Sequence, residues 1–161
     1  MNVVIVFAVV AVLLFVSAYI TRRRFGLLGL ALAAGSILSS LWSYDAGLVV
    51  GAVGVIPSGP ITTAVTLSVI VALPAILLLF HGTTYKHIVG RIVGAALFTV
   101  LALAFLVEPL GHAFVLEGSG ANVYAWLVSN KDIIISIGMI VAVVDLMLTM
   151  PAHLAEKRGK H

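Results

Sequence analysis

Long apolar runs separated by short polar turns make up most of this chain. Residues 2–21, 26–43, 61–80, 88–107 and 133–150 are each close to the ~20 apolar residues that cross a bilayer as a helix. The pattern predicts an all-α fold. It is a polytopic transmembrane helical bundle of about five spans, in a single integral membrane domain covering residues 1–161.

The polar positions refine each run. A secretory signal has a basic start and a small-residue cleavage site after a short apolar core. Here no basic side chain precedes the first run, and Arg22, Arg23 and Arg24 follow it. It therefore reads as an uncleaved first span with its N-terminus outside. The second run carries Gly26, Gly29, Ala31, Ala33, Ala34, Gly35 and Ser36, small residues that let helix backbones approach closely in lipid. Trp42 and Tyr44 suit a membrane interface. Within residues 45–60, Leu48 to Ile56 is apolar but too short to span as a helix. These residues read as a re-entrant segment or, in the simpler reading, an outer loop. Pro74 predicts a kink in the third span, because it removes one backbone donor. Glu108-Pro109 ends the fourth span. In the outer segment from Leu110 to Asp132, Val123, Tyr124, Trp126, Leu127 and Val128 suggest a short amphipathic helix at the interface. Pro151 stops the fifth span before a basic tail.

Composition agrees with lipid as the solvent. Of 161 residues, 62% are hydrophobic and 9% charged, against about a quarter charged in soluble domains. A pI near 9.5 invites a nucleic-acid partner, but the basic residues sit beside apolar spans, where they set orientation. Arg22, Arg23, Arg24, Lys86, Arg91, Lys157, Arg158 and Lys160 fall on one side of a five-span topology, and Lys131 alone on the other. Cytoplasmic loops hold the excess of Lys and Arg, so the N-terminus is out and the C-terminus in. There is no cysteine, which excludes disulfides and thiolate metal sites.

Little catalytic chemistry is visible. Asp145 is the acid inside an apolar span, and a charge there is costly by about 2.5–3.5 kcal/mol. It reads as half of a structural ion pair or, second, as a proton or cation coupling site. About five residues, or roughly 8 Å, separate it from the end of its span. Arg91, just inside the same end of the fourth span, is its expected partner. Gly90 and Gly94 form a GxxxG pair, a close-packing face for another helix. The histidines, His81, His87, His112, His153 and His161, show no metal-ligand spacing. No metal, cofactor or nucleophile constellation is predicted, and the chain reads as a non-enzyme.

Two stretches carry a family resemblance. Arg22-Arg23-Arg24-Phe25-Gly26 follows the first span, and His87-Ile88-Val89-Gly90-Arg91-Ile92-Val93-Gly94 opens the fourth. With the order of spans over residues 1–130, these resemble the colicin V production protein family of small bacterial inner-membrane proteins. The chain has His87 where that family often has Arg, and it adds a fifth span. The resemblance implies a role in envelope homeostasis or peptide export. The expectation is a multi-pass inner-membrane protein, an accessory factor or subunit, whose partners are the bilayer and other membrane proteins or further copies of itself. The alternative is a small transporter or channel using Asp145.

Overall fold

The computed structural model describes residues 3–53, 59–80, 84–85, 87–111 and 119–148. Among them are five α-helices and no strand. They are α1 (Val3–Thr21), α2 (Phe25–Val53), α3 (Pro60–Phe80), α4 (Ile88–Gly111) and α5 (Ser119–Met147). Four of these, α2 to α5, are long and apolar enough to cross a membrane, and the apolar run of α1 is shorter. The fold is thus an all-helical, membrane-embedded bundle.

Burial follows small residues as much as large ones. Phe25, Leu28 and Leu32 of α2 meet Val71 and Ala75 of α3, Phe98, Leu101 and Ala102 of α4, and Ala142 of α5. Gly35 lies so close to α3 that a Cβ placed on it would fall on the Val71 carbonyl. Gly26 meets the Ala142 carbonyl of α5 in the same way. The outer faces carry Ile, Val and Leu, such as Ile20 at 66% and Leu77 at 61% exposure. Such surfaces are stable against lipid and costly against water.

Two registers place the helices in depth. On α4 and α5, Leu101 faces Gly138, and Glu108, seven residues further along α4, pairs with Lys131, seven residues earlier on α5. These helices are therefore antiparallel with a steady register. On α1 and α4, Tyr19 meets Arg91, while Phe7 and Val107 share an apolar cluster. α1 therefore runs antiparallel to α4 over nearly the same depth.

Several boundaries differ from the sequence expectation. Residues 45–53 continue α2 as helix, so neither a loop nor a re-entrant segment begins at Asp45; residues 54–58 lie outside the described residues. Helix α4 runs past Pro109 to Gly111. Proline costs one backbone hydrogen bond, which a membrane helix can absorb. The predicted interfacial helix and fifth span are one helix of 29 residues, α5. Gly and Pro punctuate soluble helices more sharply than helices whose backbone has no water to turn to.

Candidate functional site

The most elaborate polar arrangement lies at the arginine end of the bundle. Helix ends leave backbone groups without partners. Here distant charged side chains supply them. Arg23 donates from Nε to the Leu79 carbonyl at 2.8 Å and from Nη2 to the Phe80 carbonyl at 2.7 Å, closing the end of α3. Arg91 donates to the Tyr19 carbonyl in the last turn of α1 at 3.1 Å. Its guanidinium also stacks 4.5 Å from the Tyr19 ring centroid. The Gly26 amide, in the first turn of α2, donates to Asp145 Oδ2 at 2.9 Å. Cations thus meet C-terminal helix ends and the anion meets an N-terminal one, the arrangement the helix dipole favours.

Tyr85 fastens the connection between α3 and α4 to this knot. Its amide donates to the Arg22 carbonyl at 2.9 Å, and Thr84 bridges to Arg23. Arg22 has a positive φ of 56°, the left-handed position that ends many helices and usually falls to glycine. The Tyr85 hydroxyl accepts from the Phe25 amide at 3.1 Å and hydrogen-bonds the Asp145 side chain. Arg24 lies 4.0 Å from Asp145 and 5.4 Å from the Tyr85 ring centroid.

The ion pair expected between Asp145 and Arg91 is therefore not formed. Arg24 takes the acid, and Arg91 goes to Tyr19. Asp145 lies level with the first turn of α2 and beside Gly94 of α4. The glycine expectation changes too. A Cβ on Gly94 would come within 2.6 Å of Tyr85 Cε2, and one on Gly90 within 3.0 Å of its Cδ1. These glycines seat a loop tyrosine rather than another helix. Lys86 lies outside the described residues. Tyr85 was missed by sequence reasoning. Its only signal was an aromatic residue in a short turn just before two glycines spaced by four.

Among the described residues, crevices open at two levels of the bundle. One, of about 290 Å³, lies between α4 and α5 beside Tyr85, Gly94, Val144 and Asp145. The other, of about 170 Å³, is lined by Ser36, Ser39, Ser40 and Glu108 toward the far end. Buried Leu32, Phe98, Leu101 and Ala102 occupy the core, which lies between the two levels. Among the described residues, no group of three His, Cys, Asp or Glu side chains could hold a metal ion.

Burial raises the pKa of Tyr85 above its ordinary 10.0, and the Asp145 carboxylate adds to this, against the opposing bond from the Phe25 amide. The folded state thus holds the phenolic proton more tightly than the unfolded chain. Stability from this source is full below pH 10 and falls as the pH rises through the folded pKa. Tyr85→Phe should flatten the loss of thermal stability above pH 10 relative to the parent. Two parallel curves would show that the phenol titrates alike in both states.

Comparison with known proteins adds no relative: no family model, curated protein or solved structure matches this chain.

Proposed function

We propose that the chain is a non-enzymatic, multi-pass inner-membrane protein, an accessory factor or subunit of an envelope or peptide-export assembly. The observation that carries this reading is the use of Asp145. The acid that a transporter would need free for a proton or cation is hydrogen-bonded to the first turn of α2 and paired with Arg24. The apolar core between these crevices, with buried Leu32, Phe98, Leu101 and Ala102 among the described residues, supports the same reading. The resemblance to colicin V production proteins favours an envelope role. Five spans, N-terminus out and C-terminus in, fit the split of basic residues and the shared depth of α1 and α4. The alternative, a small transporter using Asp145, draws on the crevice that this carboxylate lines.

Purified protein in liposomes tests the choice. Proton and sodium gradients are expected to persist, with the parent and Asp145→Asn alike. A pH-dependent flux that Asp145→Asn abolishes would favour the transporter. Orientation is read in the cells that supply the protein, where a cysteine at Ser119 should react with an impermeant maleimide added outside. Reaction only after lysis would reverse the topology.

A further inference from the structure

The crevice far from the arginine end draws polar groups from separate helices. Helix α2 contributes Ser36, Ser39 and Ser40, and α4 contributes Glu108 and Pro109. Its volume of about 170 Å³ leaves room for more than a single water.

Several of these groups have bonding capacity left over. Among the described residues, the Ser36 hydroxyl has no hydrogen-bond partner. Other helix hydroxyls return their protons to the carbonyl one turn back, as Thr66 and Thr99 do at 2.8 Å. Ser39 is only 7% exposed, and its hydroxyl reaches the Leu67 carbonyl at 3.5 Å, longer than an ordinary O–H···O bond. Pro109 has no amide proton to give the Phe105 carbonyl, one turn earlier. Membrane helices tolerate such a gap where a side chain, water or a cavity meets the freed group. Here the crevice meets both residues. Glu108 holds Lys131 at Oε1, but a carboxylate has about four lone-pair sites. Its side chain remains 63% exposed.

The capacity left over is mostly that of acceptors: a carboxylate, a carbonyl and hydroxyl oxygens. The rest of the wall is apolar, from Leu67, Val71 and Phe105. A primary ammonium carries three donors and no acceptor, and a short carbon chain attached to it suits the apolar wall. An alkali ion would use the oxygens and leave that wall to water. A neutral alcohol would bring one donor in place of three.

We propose that this crevice binds a small primary ammonium group, donating to Glu108, Ser36 and the Phe105 carbonyl with its carbon chain against Leu67 and Val71. Lys131 keeps its place on the first carboxylate oxygen, and the ligand takes the second. The site goes beyond the subunit reading and does not depend on it, because it uses none of the groups around Asp145.

Propylammonium chloride is the probe, and thermal unfolding of the full chain in one detergent is the readout. Sodium chloride at the same ionic strength is the baseline, tetramethylammonium chloride removes the N–H donors, and 1-propanol removes the charge. At ten times its Kd, propylammonium should raise Tm by roughly 3–6 °C, saturably, and the other three should not. An equal shift with sodium, tetramethylammonium or propanol would overturn the proposal, as would no shift at all. Ser36→Ala should unfold near the parent temperature without ligand, because its hydroxyl supports no bond in the bundle, yet it should weaken the amine about tenfold. Glu108→Gln should weaken it at least as much. Asp145→Asn, at the other crevice, should leave the size of the shift unchanged. A shift that survives both Ser36→Ala and Glu108→Gln, or that Asp145→Asn removes, would place the amine elsewhere and sink the site. Nanodiscs then separate the sources of the ammonium. A shift seen in phosphatidylcholine but absent in phosphatidylethanolamine assigns the crevice to a lipid headgroup, and a full shift in both assigns it to a free amine.

Discussion

Gly35→Ala should destabilise the bundle, and Gly35→Leu should prevent α2 and α3 from packing as they do. Two effects oppose each other. Alanine in place of glycine inside a helix gains up to about 1 kcal/mol in propensity. The new Cβ, however, would fall on the backbone carbonyl of Val71. A carbonyl within a helix cannot turn aside, so the two helices must separate. α2 and α3 form the most extensive helix pair in the bundle, and separating them loses contact along both. Overpacking of this kind costs about 1–3 kcal/mol, occasionally more, so the clash should win for Ala and win clearly for Leu. Gly94→Ala is the control. Its clash is with the ring of Tyr85, a side chain on a connecting segment that can swing away. Thermal unfolding in one detergent should rank the parent first, Gly94→Ala next, then Gly35→Ala, with Gly35→Leu last. A Gly35→Ala protein as stable as its parent would mean that α2 and α3 do not approach at this point.

The ranking also marks what the sequence could reveal. Hydropathy located the helices because lipid demands a continuous apolar surface of fixed length, and small residues in α2 announced close packing. Which glycine meets which neighbour was not legible. Gly90 and Gly94 share the spacing of a helix-packing motif, yet the turn before α4 is short enough to fold Tyr85 back over them. The ends of α2 and α5 were hidden for a related reason. Asp45 and the run from Tyr124 to Asp132 read as polar boundaries, while the backbone, with little water to satisfy it, continued as helix. Charge was legible as an excess on one side. Its partners were not, because Arg23, Arg91 and Asp145 bind helix ends, which spacing along one chain does not bring together.

Asp145→Ala should cost about 1.5–3 kcal/mol, the range for hydrogen bonds to charged groups. The side chain closes the first turn of α2 from another helix and faces Tyr85 and Arg24 at the same time. Asp145→Asn keeps an oxygen for the Gly26 amide and loses only the charge, so it should cost less. The difference between the two variants measures the cap against the ion pair. The ion pair is the smaller part. Its atoms are 4.0 Å apart, and the Arg24 and Asp145 side chains remain 23% and 18% exposed. Pairs of that kind contribute about 0.2–1 kcal/mol. Double-mutant cycles assign the partner. Asp145→Asn combined with Arg24→Gln should show a coupling of that size. Asp145→Asn combined with Arg91→Gln should be additive, because Arg91 spends its charge on Tyr19 in the last turn of α1. Arg91→Gln should still destabilise by itself, through the loss of that cap. A coupling to Arg91 larger than the coupling to Arg24 would reverse the assignment and draw Asp145 back toward α4.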